Sequence, residues 1–237
     1  MSDTLVLFCG GPSIYGGVPK PLQKLPTGET LLECYLRFFK PTVSTDVVLL
    51  VEQSFEADYS GMLKDLDYPS KITTLACSDN SSTLSKLHRF LKAGYPAEST
   101  VMFSYPDMFV FGEIATPDTT DPRLADSVFI SFAPIVSRFP RLIVDPYDNT
   151  VRGISNHTTL MPANPLHVFG GHLLVRVGVM NTLVETFLAE AQLLSSSLEF
   201  DMFFWLVNTA RVHSMPIYGR WIQADSPREI STILNQA

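Results

Sequence analysis

Unbroken apolar runs and amphipathic runs take turns along the first hundred residues. Thr4–Phe8 is a short continuous apolar run closed by glycines, which suits a buried strand feeding a loop. Thr30–Lys40 sets Leu31, Leu32, Tyr35, Leu36 and Phe39 on one helical face, and Pro41 stops it. Asp46–Val51 reads as a second buried strand. Phe55–Leu66 reads as a helix that Gly61 weakens, and Lys71–Cys77 as a third strand. Leu84, Leu87, His88 and Leu91 then recur at helical spacing, with Gly94 as the stop, before a fourth strand over Thr100–Ser104. This strand–helix order predicts a mostly parallel sheet covered on both faces.

The second half is less regular. Ser127–Ala133 predicts a strand, and Leu142–Val144 with Val151–Ile154 a hairpin around a turn-rich stretch. His167–Arg176 predicts a strand broken by Gly170 and Gly171. Val179–Leu194 predicts a long amphipathic helix, Phe200–Thr209 a strongly apolar helix, and Val212–Tyr218 a last strand. Pro227–Asn235 closes the chain as a helix with Ser226 as N-cap and Pro227 at its first position. The expected fold is α/β: one three-layer Rossmann-like domain over residues 1–237, with a mostly parallel mixed sheet and inserted antiparallel strands.

Composition narrows the classes. Of the 237 residues, 46% are hydrophobic and 17% charged, enough apolar material for a sizeable core. The formal net charge of -7 argues against nonspecific nucleic-acid binding, which needs a basic stripe to displace counterions. A local site of backbone N–H groups, a lysine and a metal can still take an anionic nucleotide. Cys9, Cys34 and Cys77 stand far apart in apolar settings, without zinc spacing, and read as reduced core thiols of a cytoplasmic protein. No run approaches the roughly 20 apolar residues of a membrane helix, and the N-terminus lacks the basic region of a signal peptide.

In open α/β sheets ligands bind beyond the carboxyl ends of the strands. The loop after the first strand, Cys9–Leu22, carries Gly10, Gly11, Gly16 and Gly17, which let backbone N–H groups approach a ligand, and Lys20, whose ammonium can reach a phosphate. It is neither a Walker loop nor a GxGxxG fingerprint, and an ordinary connection remains the bland alternative. Asp107 lies just past the fourth strand, the position of a metal acid facing a phosphate or merely of a turn cap. Asp225 precedes the last helix, either as turn chemistry or as a second carboxylate for the same metal. His88 and His213 sit in predicted elements and read as structural, whereas His172 beside Gly171 is the histidine best placed to touch a ligand. Phe38, Phe39, Phe200, Phe203, Phe204 and Trp205 read as packing residues, the last four in a helix that is either buried or part of a subunit contact.

Taken in order, the GG loop, PKPL, TGETLLECYL, a strand ending at an Asp and the late W…DSPREI segment resemble the nucleotidyltransferases, a group with a GT-A-like Rossmann-type fold. The resemblance runs over essentially the whole chain. It implies transfer of a nucleoside monophosphate from a nucleoside triphosphate to a phosphorylated sugar or similar acceptor, with release of pyrophosphate and help from Mg²⁺, for a surface-polymer precursor. It further implies that Gly10, Gly11 and Ser13 wrap the triphosphate, that Lys20 neutralises it, and that Ser82 and Thr83 contact the base. Asp107 corresponds to the magnesium acid, and Asp225 to a second metal acid in cytidylyltransferase-like branches. In sugar-1-phosphate branches that second position is Gln223. Gly171 and His172 fall in the region that holds the acceptor, and homo-oligomers are common in the group. The Asp-Ser-Pro ending and the short loop lean towards CTP. The chain departs from the pattern where Tyr15 replaces the loop arginine and where Ser155-Asn156-His157 replaces a Glu-Lys pair. Two rivals follow: a binding module with a degraded loop, and a glycosyltransferase of related fold, for which Tyr105-Pro106-Asp107 supplies one acid of the usual two.

Overall fold

The computed structural model describes residues 4–10, 14–15, 17–39, 46–64, 66, 68–134, 141–145, 147–155, 167–191 and 197–235. Its first half contains β1 (Thr4–Phe8), β2 (Ile14–Tyr15), β3 (Val18–Pro19), α1 (Leu31–Phe38), β4 (Asp46–Glu52), α2 (Glu56–Lys64), β5 (Ile72–Cys77), α3 (Thr83–Leu91) and β6 (Thr100–Ser104). There follow β7 (Met108–Ile114), β8 (Ser127–Pro134), β9 (Arg141–Val144), β10 (Val151–Ser155), β11 (His167–Arg176), α4 (Val177–Ala191), α5 (Phe203–Thr209), β12 (Arg211–Gln223) and α6 (Pro227–Leu234).

The main sheet has the order β5-β4-β1-β6-β11-β8-β12-β7, with β9 paired to β11 and β10 to β9. Strands β5, β4, β1, β6, β8 and β12 run one way, while β11 and β7 run against them. The expected mostly parallel mixed sheet is therefore present. Alternate residues of each buried strand feed opposite faces, which makes the three layers. Val6, Phe8, Val48, Leu50 and Phe103 pack with Leu84 and Leu87 of α3 and Met180 and Val184 of α4. Leu5, Leu7, Val47, Leu49 and Met102 pack on the other face with Leu32 and Tyr35 of α1, Tyr59 of α2 and Ile233 of α6.

Local chemistry sets the helix starts. Thr30 and Glu33 form a reciprocal capping box at α1, with Glu33 N–H donating to Thr30 Oγ1 at 3.1 Å and Thr30 N–H to Glu33 Oε2 at 2.5 Å. Ser226 caps α6 through Glu229 N–H, with Pro227 at the first turn as predicted.

Four expectations change. β7 has no counterpart among the predicted elements, and it pairs with the far half of β12. The last strand extends to Gln223 although Pro216 and Gly219 lie inside it. It does so by changing partners, pairing with β8 through Pro216 and with β7 from Ile217 onward, so the strand breakers stand at and just past the switch. The strand over His167–Arg176 is continuous, and its register against β8 shifts between Phe169 and Leu173, where the two glycines absorb the irregularity. The apolar helix begins later, at Phe203, after a π-helical turn over Leu198–Met202, and Phe204 is 54% exposed rather than packed inside. Residues 192–194 of the predicted long helix lie outside the described residues.

Candidate active site

Several strands end together at the carboxyl edge of the sheet, and the loops leaving them carry the polar residues. Past β6, the chain turns through Tyr105 and Pro106 and presents Asp107. Past β12, Ala224 N–H donates to the carbonyl of Asp107 at 2.8 Å, which brings Asp225 beside it. Lys20 opens a short 3-10 turn after β3, where Pro19 and Pro21 restrict the backbone. Its ammonium donates to Asp107 Oδ2 at 2.7 Å and to Asp225 Oδ1 at 2.6 Å. Three residues far apart in sequence thus meet in one cluster. The side chains are 14%, 19% and 22% exposed, so the charges are sheltered yet reachable from solvent.

Burial of Lys20 works against its charge. The charges and hydrogen bonds of Asp107 and Asp225 together outweigh it, so the ammonium is held above the ordinary lysine value. Two carboxylates and one ammonium leave a single net negative charge. Such a cluster suits a divalent cation, and the pair then suits a polyphosphate. Mg²⁺ is commonly held by one or two carboxylates, with substrate phosphates and waters completing the shell. Asp107 and Asp225 fit that donor set. A larger protein cage is not needed, and no group of three or more His, Cys, Asp or Glu with metal-binding arrangement occurs among the described residues. Gln223, the alternative to Asp225, ends β12 opposite Met108, and its Oε1 is buried with no hydrogen-bond partner among the described residues. Asp225, not Gln223, is the one brought to Lys20.

The first loop enters the same region. Cys9 N–H donates to Leu50 O at 3.0 Å, and the buried Cys9 thiol, pushed up by desolvation, feels the charges of both Lys86 and Asp107. Gly10 lies against Glu52 and Lys86: a Cβ added there would stand 3.0 Å from Glu52 Cγ and 3.1 Å from Lys86 Nζ. Gly11 and Ser13 lie outside the described residues. Ser82 is the N-cap of α3, accepting from Ser85 N–H at 3.1 Å. Thr83 Oγ1 donates to Glu199 Oε2 at 3.0 Å.

His172 stands elsewhere. It is fully buried in β11, with Nδ1 3.1 Å from Ser131 Oγ and its ring stacked on Phe39 at 5.8 Å. Burial lowers its pKa to about 4, so the ring is neutral. Gly171 adopts φ +87° over Met108, whose Sδ would stand 2.4 Å from a Cβ added there. Packing accounts for both residues in this conformation, and neither shares the Lys20 cluster. His88 bonds Glu185 from the surface of α3, and His213 tilts against Phe129.

Two neighbours escaped the sequence reading. Glu199, in the π-helical turn, accepts hydrogen bonds from Thr83, from Ser197 Oγ at 2.7 Å and from the Tyr105 hydroxyl. It ties the entry of α3 to the turn that carries Asp107. Its one signal in the sequence was an acid within an apolar stretch. The other is the buried Glu52–Lys86 pair. Lys86 sits between Leu84 and Leu87, and nothing in that spacing tells a buried lysine from a solvated one.

No protein-family model matches the sequence, and no curated protein matches it. Solved structures do. HddC from Yersinia pseudotuberculosis is 16% identical, with 100% of this chain and 99% of that one covered at a TM-score of 0.72. The inositol-1-phosphate CTP transferase of T. maritima is 13% identical over 98% and 96% of the two chains, TM-score 0.69. The UTP-bound UGPase of Acinetobacter baumannii is 10% identical over 100% and 93%, TM-score 0.67. At such identities the likeness establishes the fold, and it is the nucleotidyltransferase fold that the order of motifs implied. Among the described residues no helix is long and apolar enough to cross a membrane.

Proposed function

We propose that the chain is a nucleotidyltransferase that moves a nucleoside monophosphate from a nucleoside triphosphate to a phosphorylated sugar or similar acceptor and releases pyrophosphate. The observation that carries the reading is the ammonium of Lys20 between Asp107 and Asp225, at the carboxyl edge of a sheet shared with enzymes of this kind.

The acceptor phosphate is ionised at neutral pH, so no strong base is required; an acceptor oxygen attacks the α-phosphorus in line and pyrophosphate leaves. The work left to the protein is positioning and charge neutralisation. Asp107 and Asp225 would hold Mg²⁺, which supplies neutralisation of the triphosphate when bound. Lys20 neutralises the charge that gathers on the phosphates as the bond breaks. The loop at Gly10, Gly11 and Ser13 supplies backbone N–H groups, and Ser82 and Thr83 face the base. Gly171 and His172, which the resemblance assigns to the acceptor, are both buried in β11. CTP is the favoured donor, on the Asp225-Ser226-Pro227 ending, and a surface-polymer precursor the favoured product class.

The test is a pyrophosphate-release screen with four triphosphates, a panel of phosphorylated acceptors and Mg²⁺. Release with one donor and one acceptor class supports the reading. Silence across the panel, together with no thermal shift from any triphosphate, refutes it. A thermal shift without turnover favours the binding module, for which Tyr15 in place of the loop arginine speaks.

A further inference from the structure

We propose that Lys86 is a positioning residue of the nucleotide crevice, fixing the separation between the Gly10 wall and the Ser81–Thr83 wall. The inference rests on the nucleotidyltransferase reading and goes beyond it, since Lys86 belongs to none of the motifs that suggested that reading.

Lys86 is 1% exposed and its partner Glu52 6%. The ammonium donates to the carbonyl of Ser81 at 2.9 Å and to Glu52 Oε1 at 3.4 Å. Glu52 is the last residue of β4, and Ser81 is the residue before the N-cap of α3. The same ammonium lies 3.1 Å from where a Gly10 Cβ would be, so the first loop rests directly on it. One side chain therefore touches three chain segments that leave the same edge of the sheet.

Stability does not explain the arrangement. Burying two charges costs more than their attraction returns unless geometry is excellent, and 3.4 Å is a long contact for an ion pair. An apolar pair of similar volume would fill the space as well. What an apolar pair cannot do is hold the Ser81 carbonyl at a fixed height below Gly10. The absence of a Cβ at position 10 permits the close approach. Lys86 itself is enclosed and does not reach a ligand; it acts through the two walls.

The experiment compares the full chain with the Glu52→Gln/Lys86→Met double variant, which removes both charges together and leaves neither buried alone. Mg²⁺-triphosphate thermal shifts and steady-state kinetics are read. The expected result is a melting temperature near wild type, a KM for the triphosphate raised about tenfold, and kcat within about twofold. An unchanged KM overturns the role of Lys86 while leaving the nucleotidyltransferase reading intact. A wild-type chain that no triphosphate shifts overturns both. If the double variant does not fold, Lys86→Arg decides: its planar head keeps the charge but shifts the donor to the Ser81 carbonyl, so KM must rise, and an unchanged KM overturns the proposal.

Discussion

Replacing Lys20 by Met removes the ammonium and keeps most of the side chain's volume. The two carboxylate oxygens lie 2.7 and 2.6 Å from one nitrogen, so no more than about 5.3 Å separates them. Without the ammonium they repel. At that separation and an effective dielectric between about 20 and 80, the repulsion is about 1 to 3 kcal/mol. For a chain of this size the melting temperature should fall by about 2 to 12 °C. Mg²⁺ should then stabilise the variant more than it stabilises the wild type, because the cation replaces a lost counter-charge. Turnover should nevertheless drop at least about 100-fold, the scale of losing one group that stabilises transition-state charge. Differential scanning fluorimetry with and without Mg²⁺, paired with pyrophosphate release, reads all three effects. Turnover within a few-fold of wild type, or an Mg²⁺ shift equal in both proteins, would refute the reasoning.

Three further outcomes follow from the same geometry. His172 is neutral in the fold, with its pKa near 4, and takes a proton in the unfolded chain near the ordinary histidine value. A depressed pKa means that its contribution is complete above about pH 6.5 and is lost as pH falls through about 4, up to about 3 kcal/mol. Denaturant melts over that window should show the slope in wild type and a reduced slope in His172→Phe. Gly171→Ala puts a methyl 2.4 Å from Met108 Sδ at φ +87°, and should cost about 2 to 4 kcal/mol in urea unfolding, part of which Met108→Ala restores. Thr30→Ala removes the capping box of α1 and should cost about 1 kcal/mol in the same assay, with little change in turnover.

Much of the frame was written in one-dimensional patterns. Strands β1, β4 and β6 are buried on both faces or nearly so and read as apolar blocks, while β5, at the sheet edge, is half-buried. α1 and α6 announce their starts through Thr30 with Glu33 and through Ser226 with Pro227. What stayed hidden depended on partners. β7 and the far half of β12 exist because they pair with each other, with Gly112 at φ +152° and Gly219 at φ +131° letting the backbones cross closely. Neither glycine advertises a strand. At the site, Lys20, Asp107 and Asp225 were visible because prolines and strand ends flank them. Glu199 and the Glu52–Lys86 pair were not, since only the tertiary fold decides that a charged side chain on a helix or strand end turns inward. His172 shows the converse: its glycine neighbours suggested a ligand site, and the structure uses them to pack the strand against Met108, Ser131 and Ile217.

We propose that Lys20, Asp107 and Asp225 act as one polyphosphate and metal site. Its most direct measurement is the Mg²⁺ dependence of CTP binding by isothermal titration calorimetry, in wild type and in the Asp107→Asn/Asp225→Asn variant. Mg²⁺ should tighten binding at least tenfold in wild type and have little effect in the variant. Equal Mg²⁺ dependence in the two proteins, with both folded, would contradict it.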